Sequence, residues 1–219
     1  MRNIFLTVCL LSTQLLFATK PIFIPIGSDC TPTFRLTEAK LRTVAYPFDW
    51  ITCSFDTLFS GFNNDFKKFF TDLSLTPDKT ATVDSYGFVY HHIWHTKETK
   101  IAYSAPIDTM DWQAMVPNLS AMYQRRFARV HKACNSDQPV VFVRYNDITK
   151  QSAVRLRNLI KKKYPNLTFI LVVVKPCDQF KKMWNEPHIR NYSLIDSDSA
   201  NWKKIFQQVT AELESGNPH

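Results

Sequence analysis

Glycine is scarce in this chain, which has only four glycines against twelve prolines in 219 residues. Turns must therefore be built mainly from proline, asparagine, aspartate and serine, and each glycine marks a position to inspect. Cysteine pairs at C-x-x-C spacing are missing, which argues against a thiolate zinc site or a dithiol redox motif. A glycine-rich phosphate loop is missing too, so a nucleotide-sugar or carbohydrate-modifying site around Arg144 and the predicted parallel strands is only a third, weaker interpretation.

The composition that is present belongs to a folded protein. Hydrophobic residues make up 45% and aromatic residues 14% of the chain, which argues against disorder. The length suits one domain with a full core. No repeat, low-complexity tract or linker divides the chain, so we expect a single domain over residues 21–215.

The first 18 residues have the order of a secretory signal peptide. A single Arg2 precedes an apolar run from Ile4 to Ala18, and cleavage is expected after Ala18. Thr, Ser and Gln interrupt this run, which falls short of the roughly 20 apolar residues that a membrane span needs. We therefore predict a secreted or periplasmic protein, and retention of the same segment as a membrane anchor is the alternative.

The net charge of +8 comes from basic pairs and triplets that lie on predicted helices or at their ends. Solvated helix faces are the simplest explanation of these residues. Because no recognised module and no interleaving of basic and aromatic residues accompanies the charge, nucleic acid is not an expected partner. Attraction to an anionic envelope surface would explain the charge equally well.

Strand and helix signals alternate in the second half of the chain. The runs PVVFVRY (139–145) and LTFILVVV (167–174) read as buried strands, with a basic amphipathic helix over 150–164 between them and a final helix over 199–213. Two apolar strands joined through a helix predict a parallel pair covered on both faces. PIFIPI (21–26) predicts an earlier strand.

The first half has weaker signals. Helices are predicted over 55–62 and 63–70, and a well-supported one follows Pro117. From Val83 an aromatic stretch without strong helix formers predicts one strand or two arms of a bent one, with 97–108 as a hairpin partner. The predicted fold is therefore α/β, with a mixed sheet to which these strands add antiparallel edges.

Cys30 lies in IGSDCTP (26–32), where a strand passes into a helix. Thr31 is the candidate N-cap and Pro32 the first helical residue. A helix N-terminus favours a thiolate, and its backbone N–H groups could hold an oxyanion during acyl transfer. The alternative is an inert cysteine that only packs, which is common for this residue type.

A nucleophilic cysteine needs a base, and the chain offers the cluster His91, His92 and His95. If Phe88, Tyr90 and His92 share one face of a strand, His92 projects beside two aromatic walls. The alternatives are exposed strand histidines or a His-x-x-His metal pair, whose geometry on a strand is poor for one ion. We therefore predict His92 as the base and expect neither a metal nor a cofactor.

Several motifs follow one another in a recognisable order: GSDC, PFDW, DFKKF, an aromatic strand with histidine, RRF and FVR. In this order the chain resembles a bacterial family of unknown function described as putative papain-like cysteine peptidases. The resemblance spans nearly everything after residue 21. It implies a hydrolase and makes a papain-like α+β fold the alternative to the α/β prediction.

The resemblance implies roles for individual residues. Cys30 takes the position of the nucleophile, His92 that of the base, and Asp49 that of a third polar member, although Asp49 could instead cap its turn. Trp50, Arg126 and Arg144 become candidates for substrate binding. A structural ion pair of either arginine with Asp49 or Asp147 is the competing interpretation.

Two functions follow from these residues. The first is an exported cysteine hydrolase or acyl transferase that acts on a peptide or another amide or ester. The second is a non-enzymatic basic domain, braced by disulfides among Cys30, Cys53, Cys134 and Cys177, that binds an anionic surface.

Overall fold

The structure is a computed structural model that describes residues 19–146, 148–177, 181–182, 184, 186–195 and 197–215. The predicted signal peptide, at residues 1–18, lies outside the described residues. Across the described residues, no helix combines the length and the apolar character that crossing a bilayer requires.

A five-stranded sheet forms the centre of the fold. Its strands are β1 (Ile22–Pro25), β6 (Val140–Tyr145), β7 (Phe169–Lys175), β8 (Lys181–Lys182) and β9 (Ile189–Ser193). They lie in the order β1-β6-β7-β9-β8, parallel except for the edge strand β8. All of β6 and nearly all of β7 are buried, because apolar side chains point to both faces. The predicted strands over 21–26, 139–145 and 167–174 are confirmed.

Helices cover both faces of this sheet. They are α1 (Thr31–Glu38), α2 (Phe55–Asn63), α3 (Val116–Cys134), α4 (Lys150–Lys163) and α5 (Ser199–Glu214). One face packs Val141 and Val143 against α1 and α5, and the other packs Val140 and Phe142 in the core shared with α2, α3 and α4. Alternate residues of one strand thus serve two cores, and the predicted α/β class is confirmed.

A second, smaller sheet is antiparallel. Its strands are β2 (Ile51–Thr52), β3 (Ser74–Leu75), β4 (Thr82–Val83) and β5 (Val89–Tyr90), in the order β2-β5-β4-β3. The prediction that these strands extend the central sheet was wrong, since they form a sheet of their own. The segment 97–108 contains no strand: β4 and β5 form the two arms of a hairpin around Gly87, and β2 takes the other edge of β5.

Two further differences have a packing explanation. Residues 64–70 form turns rather than the predicted helix, with positive φ at Asp65, Phe66 and Phe70. These turns send Phe66 and Phe69 against Phe127, with ring centroids 4.9 and 4.8 Å apart, so aromatic burial overrides helix propensity.

Strand β9 was not predicted because its sequence, IRNYS, is largely polar. Two of its buried side chains have tertiary partners instead, although the side-chain oxygen of Asn191 has no hydrogen-bond partner among the described residues. Arg190 pairs with Glu212, and the Asn191 amide donates to the Val173 carbonyl at 3.2 Å.

Candidate active site

Cys30 lies just beyond the carboxyl end of β1, the side on which open parallel sheets bind ligands. Gly27 and Ser28, with φ of 76° and 68°, turn the chain out of the strand. Cys30 itself is the N-cap of α1, one residue earlier than predicted, because Asp29 Oδ1 accepts the N–H of Thr31 at 2.8 Å. The thiol of Cys30 is partly exposed and lies at a helix start, and a reactive cysteine needs both solvent access and such a thiolate-stabilising position.

The turn before Cys30 requires a glycine at position 27. A Cβ on Gly27 would lie 2.6 Å from the Cys53 sulfur, closer than real contacts allow. The Cys53 N–H donates to the Ser28 carbonyl at 3.2 Å, and the Ser28 hydroxyl donates to the Tyr145 carbonyl. Cys53 therefore packs directly under the turn that presents Cys30.

Arg144 supports the same turn from inside the protein. It is only 1% exposed, and its guanidinium donates to the Ile26 carbonyl at 3.1 Å and the Cys53 carbonyl at 3.2 Å. Burial raises the pKa of the Cys53 thiol, although Arg144 opposes that shift. Cys53 is therefore a neutral packing thiol, and Arg144 faces backbone rather than solvent. Asp147, its suggested ion-pair partner, lies outside the described residues.

His92 follows β5 in a turn, so the prediction that it shares a strand face with Phe88 and Tyr90 was wrong: the strand ends at Tyr90. Its ring nevertheless lies beside an aromatic wall, with the Trp50 ring centroid at 5.5 Å. Burial, and secondarily the charge of His95, lowers the pKa of His92. The imidazole is consequently neutral near pH 7, the state that a general base requires.

Tyr103 contacts His92 directly and is within electrostatic range of Cys30. Its hydroxyl lies 3.2 Å from His92 Nε2, and burial together with the nearby Cys30 thiolate raises the pKa of its phenol. The same ring contacts His91, with centroids 3.9 Å apart, and borders a cleft of about 530 Å³ that Thr52 and Asp78 also line. The structure thus brings Trp50 and Tyr103 against His92, and Tyr103 in turn borders the cleft.

Sequence reasoning missed Tyr103 because the segment around it was assigned to a strand. The side chain is 58% exposed, which is unusual for a large aromatic residue in this protein. Nothing in the local sequence reveals that it contacts a histidine eleven residues earlier.

Asp49 is completely buried, and its hydrogen bonds lie within its own loop. Oδ2 accepts from Arg42 Nε at 2.8 Å, from Arg42 Nη2 at 2.5 Å and from the N–H of Tyr46 at 3.1 Å. Burial raises the pKa of Asp49, and the Arg42 charge opposes this shift. Within the described part of the chain, no hydrogen bond joins Asp49 to His92. The carboxylate therefore organises the PFDW turn that carries Trp50.

Arg126, on α3, interacts electrostatically with Asp49 of the PFDW turn. Its guanidinium sits over the Tyr123 ring, 5.3 Å from the centroid, and its charge lowers the pKa of Asp49. Burial lowers the pKa of Arg126 itself, with Tyr123 and Asp49 opposing the shift. The structure thus places Arg126 with Asp49 and Arg42, and Arg144 beneath the Cys30 turn.

Metal and disulfide chemistry can be checked over the same residues. In the part of the chain that the structure describes, no three His, Cys, Asp or Glu side chains are grouped to hold a metal ion. No disulfide joins any two of Cys30, Cys53, Cys134 and Cys177. The bracing that the binding-domain alternative requires is therefore missing among these four cysteines.

Comparison with known proteins identifies a family. The sequence model of the family described as "Putative papain-like cysteine peptidase (DUF1796)" matches residues 22–179, well over half of the chain. The chain belongs to this family, which confirms the resemblance drawn from its motifs and supports a hydrolase at a coarse level. Neither a curated protein nor a solved structure matches the chain significantly.

Proposed function

We propose that this member of the putative papain-like cysteine peptidase family is a cysteine hydrolase or acyl transferase for a peptide, or another amide or ester. Cys30 is the nucleophile and His92 is the general base. One observation carries the proposal: Tyr103, which borders the cleft, contacts His92 after β5, and the charge of Cys30, at the start of α1, acts on the same phenol.

The reaction follows from the two side chains. His92 takes the proton of the Cys30 thiol, and the thiolate attacks the carbonyl carbon of the substrate. As the C–N or C–O bond breaks, the leaving group receives the proton from His92, and an acyl thioester remains on Cys30. A water molecule or another acceptor, deprotonated by His92, then attacks the thioester and regenerates the thiol.

Other residues have supporting roles in this proposal. Trp50 walls the His92 ring and contacts the substrate, and Asp49 acts through the loop that carries Trp50. Arg126, which lies with Asp49 and Tyr123, stays a sequence-based candidate for binding a negatively charged group of the substrate. Arg144 contributes from beneath the nucleophile turn, since its guanidinium is buried. Export remains a prediction that rests on residues 1–18.

Site-resolved alkylation tests the proposal. The wild type, Cys30→Ala and His92→Gln are treated with chloroacetamide between pH 5 and 9.5, and labelling of each cysteine is followed by mass spectrometry. We expect Cys30 of the wild type to react at pH 6 at least about tenfold faster than an ordinary thiol of pKa about 8.5. His92→Gln should remove this excess.

Cys177 provides an internal control, because it is the other partly exposed cysteine among the four described. Its labelling rate should be the same in the wild type and in His92→Gln. If Cys30 shows no excess reactivity at pH 6, or if His92→Gln retains the excess, nucleophilic catalysis by this pair is ruled out.

A further inference from the structure

We propose that Tyr103 positions His92 for proton transfer with Cys30, a role that rests on the function proposed above. Tyr103 touches the base through its hydroxyl and packs against the base through its ring. It is therefore a positioning residue, which acts on the reaction through His92.

The contacts of the His92 ring support this role. The Tyr103 hydroxyl lies 3.2 Å from Nε2, and the two ring centroids are 5.1 Å apart. Trp50 lies 5.5 Å away by the same measure. Two aromatic rings thus limit how far the imidazole can tilt, and the hydroxyl selects one of its two nitrogens.

Asp49, the sequence-based candidate for this role, makes its hydrogen bonds to other residues than His92. Its Oδ2 accepts from Arg42 and from the N–H of Tyr46, within its own loop. Its other oxygen, Oδ1, is buried without a hydrogen-bond partner among the described residues and makes no hydrogen bond to His92. The hydroxyl of Tyr103 is already in place, and no rearrangement is needed.

The chosen nitrogen determines which atom accepts the proton. A neutral imidazole carries one N–H and one lone pair, and the partner of one nitrogen sets the tautomer. When Nε2–H donates to the phenol oxygen of Tyr103, Nδ1 carries the lone pair. The Sγ–H bond of Cys30 then breaks as the Nδ1–H bond forms, which leaves a thiolate and an imidazolium. The imidazolium keeps its Nε2–H donor on Tyr103 throughout.

Tyr103 is itself held and kept neutral. Its ring lies 3.9 Å from His91 and 5.5 Å from His95, measured between centroids. Burial and the Cys30 thiolate both raise the pKa of the phenol, so its oxygen accepts a hydrogen bond without adding a negative charge. Cys30, His91 and His95 are the other titratable groups around this pair. Asp78, which lines the same cleft and acts on the pKa of His91, belongs with them, and a pH profile must account for all four.

Tyr103→Phe tests the role because it keeps the ring and removes only the hydroxyl. The matched control is Tyr86→Phe, whose ring packs on Phe88 with centroids 6.3 Å apart. Two measurements are made on both variants and the wild type: Cys30 alkylation by chloroacetamide from pH 5 to 9.5, and ¹⁵N NMR of labelled histidines, with His92→Gln assigning the His92 signals.

We expect Tyr103→Phe to lower the Cys30 rate at pH 6 by at least about tenfold, since a misplaced base transfers protons poorly. Above the ordinary thiol pKa of about 8.5 the rate should equal that of the wild type, because the thiol ionises without help. The NMR signals should shift from an Nε2–H tautomer to a mixture. Tyr86→Phe should change neither measurement.

Distinct results overturn this inference and the proposed function. If His92→Gln lowers the rate at pH 6 but Tyr103→Phe changes neither rate nor tautomer, the proposed function stands and the role of Tyr103 is wrong. If Tyr103→Phe lowers the rate equally at every pH, the hydroxyl affects access to Cys30 rather than His92. If the wild type shows no excess at pH 6, both proposals are overturned.

Discussion

The two halves of the candidate site are built in different ways. Cys30 follows β1, an edge strand whose four residues pair in parallel with β6, and buried Arg144 supports the turn from below. His92 follows β5, a strand of two residues in a sheet whose strands are all that short. The Cys30 turn therefore follows a four-residue ladder on the central sheet, and the His92 turn follows a two-residue strand in a small sheet that needs other support.

A single carboxylate supplies much of that support. Asp84 is 5% exposed and accepts hydrogen bonds from the N–H groups of Phe70, Tyr86, Gly87 and Phe88 and from the Tyr90 hydroxyl. These donors come from the hairpin and from the turn segment packed on it. Strand pairing and the buried Arg144 thus position the Cys30 turn, whereas the Asp84 carboxylate and aromatic packing position the hairpin before His92.

The largest effect is expected from breaking the nucleophile half with Arg144→Met. The substitution leaves the carbonyls of Ile26 and Cys53 buried without their charged donor, and we expect a loss of about 3 kcal/mol in the free energy of unfolding. Urea unfolding measures it. Arg125→Met, at an exposed arginine of α3, is the control and should stay within about 0.5 kcal/mol. Equal effects of the two variants would show that Arg144 does not support the turn.

Breaking the base half with Asp84→Asn should cost less, about 2 kcal/mol, because the amide keeps one acceptor while its NH₂ faces former donors. Labelling of Cys30 at pH 6 should nevertheless decrease, since the hairpin that leads to His92 is displaced. Asp137→Asn, at an exposed aspartate, is the control for both measurements. If Asp84→Asn is measurably destabilised but Cys30 labelling is unchanged, the hairpin does not affect the reactivity of Cys30, which contradicts this prediction.

The smallest expected effect is the change in the free energy of unfolding with pH, which compares the histidines of the two sheets. Burial lowers the pKa values of His91 and His92 from the ordinary 6.5, so the unfolded chain binds protons at a higher pH than the folded one. Stability should therefore fall as the pH drops through 6.5. His188, at the amino end of β9, acts in the same direction, and buried Asp49 in the opposite one.

Urea unfolding at pH 7.5 and pH 5.5 measures this dependence. His91→Gln should weaken it, because the variant no longer takes up that proton on unfolding. His188→Gln tests the contribution of the central sheet in the same way. An unchanged pH dependence in both variants would contradict the direction assigned to these histidines.

The elements that were predictable are those whose apolar pattern matches their burial. Val140–Tyr145 and Phe169–Lys175 read as buried strands because both of their faces are covered. Ile189–Ser193 escaped prediction because its polar side chains find tertiary partners. The turns over 64–70 escaped for a related reason, since aromatic packing rather than local preference shapes them.

The features of the candidate site also fall into those that local sequence predicts and those that depend on tertiary contacts. The sequence by itself identified Cys30 at a strand-to-helix passage, singled out His92 from its cluster and indicated the family, because these features depend on local order along the chain. Only the tertiary structure decided that Tyr103, rather than Asp49, contacts His92, and that Arg144 is buried beneath the nucleophile turn. Contacts between distant segments depend on how two sheets and their loops pack, and no local pattern encodes that packing.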